Sequence, residues 1–271
     1  MKILLYPFLL SALLLGCKNE EAIKTYVPSL LTANEQFNAY QTNVEDSLIL
    51  IKNDSKDKEE IAGLKEWFSV KFRDSIIRIQ TNTKDANAGS AKFATAQYVN
   101  TQKTCLLVQV ADSSGITPLC YLIALKDGLP KVISLYRPST GSQDSRFTKG
   151  IIKAGNSGYL VNNDFFVTNV NARVFLIKRQ NPEERIPGIY MVNSPDKSTL
   201  VFVINSSFYE VNYPSGEVLT LPMDKSAPKD SGALFNWIQS NYVWTKNTKG
   251  ISFLSKRPDD DRIVDISEFK K

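Results

Sequence analysis

The chain has 271 residues, 42% hydrophobic and 23% charged, ordinary values for a soluble globular protein. Thirty-three Lys and Arg against 28 Asp and Glu leave +5, too thin a field over this length to imply nucleic acid or an anionic membrane as a partner. Histidine is absent, which excludes His-ligated metal sites, Ser-His and Cys-His nucleophile pairs and imidazole acid–base catalysis.

Residues 1–16 form the first predicted element. Lys2 supplies a basic start, and Ile3 to Leu15 is an apolar run interrupted only by Pro7 and Ser11. The run falls short of the about 20 residues that a helix needs to cross a bilayer, so a secretory signal is expected. It ends Leu14-Leu15-Gly16-Cys17. This ending resembles the lipobox of bacterial lipoproteins. The resemblance implies cleavage before Cys17, transfer of a diacylglyceryl group to its thiol, and acylation of the freed amine. Two or three acyl chains, at about 0.8 kcal/mol per buried methylene, hold a protein far more firmly than one. The membrane is therefore the first expected partner. Lys18 stands where an Asp would imply inner-membrane retention, so the resemblance points to the outer membrane of a Gram-negative envelope. Lys18-Asn19-Glu20-Glu21 is also similar to surface-export tags, which leaves the periplasmic face and the cell surface both open.

Residues 17–28 are expected to be a polar tether. From Ser29 to about Asn53, Leu30, Phe37, Tyr40, Val44, Leu48 and Ile51 follow the step of an amphipathic helix. Asp57 and Glu60 match a capping box, and Ile61, Leu64, Phe68, Phe72, Ile76 and Ile79 share a stripe. The spacing predicts a helical hairpin over 29–80, closed by a linker at 80–91. The expected fold class is thus α+β: this hairpin, then an antiparallel β region over 92–271 built of repeated meanders, propeller-like or a curved open sheet.

Within that region Val99–Ser114 and Val192–Ser207 align without a gap, sharing Val-Asn, Leu-Val and Ser-Ser pairs. A second echo links Phe175–Ile186 to Phe253–Ile263. Such recurrence is the mark of stacked supersecondary units. Asp164–Gly188 with Val201–Leu219 resembles blades of quinoprotein-like β-propellers; a half-barrel like that of periplasmic lipoprotein carriers fits the same pattern. A short helix is predicted at 231–240, with strands at 251–254 and 263–266.

Cys105 and Cys120 remain once Cys17 is lipidated, an even pair in an oxidising compartment. A hairpin centred on Asp112-Ser113 would set them face to face, so a disulfide is expected, with two buried thiols as the alternative. Trp237, Tyr242 and Trp244 fall within eight residues and are the candidate ligand-binding group, since such rings stack on sugars as well as packing a core. The polar loop 137–150 is a second place for binding. Ser226 and Lys229 share a Ser-x-x-Lys spacing without its companion motifs, and Pro228 breaks the turn between them. Asp259-Asp260-Asp261 with Asp265 lacks the alternation of a calcium loop. No catalytic residue, metal or cofactor is implied. Lys178 or Arg179 is expected to pair with Glu183 or Glu184 at a solvated hairpin tip, and Lys256 or Arg257 with Asp260.

The functional expectation is an envelope lipoprotein that binds a protein or glycan, or acts as a scaffold, without catalysis. A lipid or lipoprotein carrier is the alternative, and a carboxylate-based glycan-active enzyme the next.

Overall fold

A computed structural model describes residues 22–37, 49–52, 67–72, 75–82, 84–101, 103–111, 119–140 and 149–258. The signal segment, Cys17, the turn at 112–118, the loop at 141–148, the acidic run at 259–261 and the strand expected at 263–266 lie outside them.

The described N-terminal third is made of strands. They are β1 (Ala22–Tyr26), β2 (Ser29–Leu30), β3 (Glu35–Gln36), β4 (Ile49–Lys52), β5 (Phe68–Phe72), β6 (Ser75–Gln80) and β7 (Gly89–Ser90). The expected α+β class and its helical hairpin are therefore wrong, since the described chain is mostly strand with a single helix near the C-terminus. No boundary falls at 80–91, because β6 shares a sheet with strands beyond it. The polar tether is likewise shorter than 17–28, since β1 begins at Ala22. The segment 68–79 satisfies two periods at once. Phe68, Phe72, Ile76 and Ile79 step as a helix, but Val70, Phe72, Ile77 and Ile79 alternate as strands, and this second set is buried. Three isoleucines and a valine in two short runs tip the choice, because β-branched side chains suit the pleat.

The first sheet continues with β8 (Phe93–Tyr98), β9 (Cys105–Val110), β10 (Cys120–Lys126) and β11 (Leu129–Ser134). Its hydrogen-bonded order runs β1-β6-β5-β8-β9-β10-β11-β2, with β4 on β5 and β7 on β6. The two ends of this order, β1 and β2, are joined by only Val27 and Pro28. Three Cα steps, about 11 Å at most, separate Tyr26 from Ser29, so the sheet must curl until its edges nearly meet. Residues 22–30 act as a strap across the gap, parallel to β6 on one side and to β11 on the other. Inside the curl lie Val70, Ile77, Ile79, Phe93, Leu106 and Val108.

Two four-stranded meanders stack on the outside. One is β12 (Ile151–Ala154), β13 (Gly158–Val161), β14 (Phe165–Thr168) and β15 (Arg173–Leu176), extended by β3. The next is β16 (Ile189–Asn193), β17 (Thr199–Ile204), β18 (Ser207–Asn212) and β19 (Glu217–Pro222). Helix α1 (Ser231–Asn241) and the hairpin β20 (Tyr242–Lys246) and β21 (Ser252–Lys256) cap the stack. Asp230 caps α1 by accepting from the Ala233 N–H at 2.8 Å. The sequence expectation for this helix, 231–240, agrees closely.

Each middle layer is buried on both faces. Leu107, Leu122 and Ile133 meet Val161, Phe165 and Val174 between the curl and the first meander. Leu160, Phe166 and Phe175 meet Leu200, Phe202 and Val211 between the two meanders. Val201 and Phe208 then meet Leu234, Ile238 and Leu254 of the cap. Two covered faces explain near-continuous apolar runs such as CYLIALK and TLVFVI, which a half-exposed strand would break by alternation. The aligned repeat also finds its place: β9 and β17, like β10 and β18, are the second and third strands of their meanders.

Candidate functional site

Of the three aromatic residues expected to bind, two line a groove. Tyr242 and Trp244 share it with Val192, Phe235, Ile238 and Arg257, around a volume of about 360 Å³ between α1 and β20. Trp237 lies beside it, its ring 5.4 Å from that of Tyr242, which also meets Phe208 edge-on at 5.1 Å. Tyr242 is thus largely a packing residue, 4% exposed, while Phe235 at 37% exposure forms an open wall. Arg257 closes one end, held by its Nη2 donating to the Gln239 carbonyl at 3.2 Å. Apolar walls, one indole face and a guanidinium can grip a ring and pair with an acidic or hydroxyl substituent. Phe235 and Arg257 were not legible in the sequence, because helix and strand bring them together only in the folded cap.

A second polar feature lies at one end of the stack, on the triplet Asn162-Asn163-Asp164. This turn joins β13 to β14, with Asn162 and Asn163 at φ 56 and 55, the left-handed region that Asn tolerates. Asp164 is fully buried, and Arg179 grips it in a fork, Nε to Oδ1 at 2.7 Å and Nη2 to Oδ2 at 2.9 Å. Arg185 approaches Oδ2 at 3.3 Å and Arg137 approaches Oδ1 at 3.8 Å. The remaining donors of Arg179 reach the carbonyls of Pro138, Arg137 and Pro182. Asn162 donates to Leu135 O and Asn163 to Ile186 O and Gly188 O. One turn therefore holds the described ends of the connection from curl to first meander, at Leu135–Pro138 and Gly150, and the connection from first meander to second, 177–188.

This arrangement corrects the sequence expectation for Arg179. It is not paired with Glu183 or Glu184 at a hairpin tip but buried against Asp164. Lys256 pairs with Asp224 at 3.6 Å, while Asp260 lies outside the described residues. Ser226 donates to Asp224 at 3.0 Å, a turn contact.

The expected disulfide is also corrected. Cys105 and Cys120 are both buried, and no disulfide joins them. The register pairs Cys105 with Ala124 and Cys120 with Gln109, so the two cysteines sit four positions out of step, about 13 Å along the strands. Burial pushes both thiols up, Cys120 to about 12, which suppresses the reactive thiolate. A thiol reagent should therefore leave both unmodified in the folded protein and modify both after denaturation. Reaction of either one under native conditions would show that the curl opens locally.

Other carboxylates face the cap. Glu210 on β18 is fully buried, with Oε2 accepting from the Leu254 N–H at 2.7 Å and Oε1 unpartnered. Burial pushes this carboxyl up to about 7 against the opposing pull of that N–H. Asp196 accepts from Ser194, Ser198 and Ser252, and these bonds outweigh burial to hold it at about 2. Among the described residues no three Cys, Asp or Glu side chains converge as a metal site would require. Comparison with protein families, curated proteins and solved structures finds no match to this chain.

Proposed function

We propose that the protein is an envelope lipoprotein, anchored through Cys17 in the outer membrane of a Gram-negative cell, that binds or scaffolds without catalysis. The observation that carries this reading is the Leu14-Leu15-Gly16-Cys17 ending of a short apolar run. The groove of Phe235, Tyr242, Trp244 and Arg257 is its ligand face, and a glycan ring is the ligand it suits. The charged side chains around Asp164 are spent on backbone carbonyls that hold the layers together, a structural use of charge. Among the described residues, Val70, Ile77, Ile79 and Phe93 inside the curl are each at 0% exposure and pack on one another, which is less favourable to the carrier alternative.

Palmitate fed to cells making the protein should label it, and Cys17→Ala should abolish the label. Retention of label in that variant would sink the anchor. For the groove, Trp244→Ala should weaken retention of the mature chain in gels cast with envelope polysaccharide about tenfold, the loss of one stacking contact of about 1.5 kcal/mol. Equal retention of both proteins would remove the groove from the proposal.

A further inference from the structure

The strap that closes the curl is almost bare. Ile23, Val27 and Leu30 are 65%, 63% and 69% exposed, three large apolar side chains within eight residues. Monomeric proteins seldom leave such a line uncovered unless something rests on it. Parallel pairing of β2 with β11 puts the start of β11 at the same end as the start of β2, and there Leu129 is exposed at 68%. Lys131, next along β11, is exposed as well.

Residues 18–21 alone separate Cys17 from Ala22, the first residue of β1. Five residue steps of extended chain span at most about 18 Å. An acylated Cys17 at the headgroup level would therefore keep β1 within that distance of the lipid, and it could not let the body swing freely. Among the described residues, the apolar line on the strap follows the anchor most closely along the chain. Each side chain moved from water into the interface contributes in proportion to its buried area, and Lys18 and Lys131 suit anionic headgroups.

We propose that the strap face of the curl, Ile23, Val27 and Leu30, rests on the lipid surface to which Cys17 tethers the chain. This rests on the anchor reading above. The chain then stands on its curled sheet with the two meanders stacked beyond it. The cap and its aromatic groove sit at the far end, further by at least two sheet spacings of about 10 Å each. The lipid anchor sets not only the compartment but also the orientation of the ligand face.

The test uses the full acylated chain, its acyl mass verified, reconstituted in phosphatidylethanolamine–phosphatidylglycerol vesicles. A single fluorophore is placed by Thr25→Cys on the strap or by Lys249→Cys on the cap hairpin, the native thiols being buried. Lipid-borne quenchers should dim the strap label about threefold more than the cap label. Ile23→Asp, Val27→Asp and Leu30→Asp together, all at exposed positions, should erase that difference while the protein stays folded and anchored. Equal quenching at both sites in an acylated chain would overturn the orientation and leave the anchor intact. A chain without acyl groups would overturn the anchor, and this inference with it.

Discussion

Replacing Asp164 with asparagine should lower the unfolding free energy by about 3–5 kcal/mol, the usual cost of removing one partner from a buried ion pair. Asp164 is fully buried and faces Arg179, Arg185 and Arg137. Asparagine keeps the shape but turns one acceptor oxygen into a donor, aimed at guanidinium groups that also donate. The cost then comes from the arginines left behind: Arg179 is 6% and Arg185 2% exposed, and neither can recover its charge partner from water. The effect should also spread. Since Arg179 holds the carbonyls of Arg137, Pro138 and Pro182, loosening it frees both connections between layers. Urea unfolding followed by tryptophan fluorescence should show a lower midpoint. A midpoint shift worth under about 1 kcal/mol would mean that water reaches the cluster and screens it as it does a surface pair.

The second large effect is on the pH dependence of stability, and its origin is Glu210. Its carboxyl is pushed up to about 7 by burial, from 4.5. In the folded protein it stays protonated over a range where the unfolded chain has already released the proton. The folded state therefore binds more protons between pH 4.5 and 7, and stability falls as pH rises through that window. A shift of this size corresponds to about 3 kcal/mol, fully present below 4.5 and lost above 7. Asp196, held at about 2, acts with the opposite sign, since its contribution is lost as pH falls below 3.8. The two windows do not overlap. Melting of the wild type at pH 5 and pH 8 should show the cap less stable at the higher value, and Glu210→Gln should remove most of that difference. An equal slope in the variant would locate the pH dependence elsewhere. Because the Leu254 N–H is the donor to Glu210, hydrogen exchange at this amide is the most local readout.

The meanders were legible because burial on both faces writes long apolar runs, and TLVFVI has few other uses between the turn-forming Asp196-Lys197-Ser198 and Asn205-Ser206. The cap helix was legible from its polar start and its apolar spacing. The N-terminal third was misread for a definite reason: 68–79 carries both periods, and only a partner sheet decides which set of side chains goes inside. The disulfide expectation failed on register. A turn centred on Asp112-Ser113 would pair positions four steps away from those that pair, since the Val110 N–H donates to the Leu119 carbonyl. Arg179 was misassigned because KRQNPEER has the composition of a solvated tip, while its true partner hides 15 residues upstream. The clue was Asn-Asn-Asp set between Leu-Val and Phe-Phe-Val, a polar triplet in an otherwise apolar stretch. For the groove, aromatic density marked Tyr242 and Trp244, but the opposite wall and the guanidinium come from positions with no pattern of their own.

The strap has a temporal consequence. Residues 22–30 are synthesised before every strand they pair with, and Ser29 meets Val132 across 103 residues. The two outer meanders, by contrast, pair neighbour with neighbour, contacts that form quickly. The curl must therefore be closed late, by the part of the chain made first. Until then β6 and β11 each offer a bare edge, and a second chain's strap can fill it as well as the first chain's own. Refolding at high concentration should yield dimers that exchange their straps, and dilution before folding should yield the monomer.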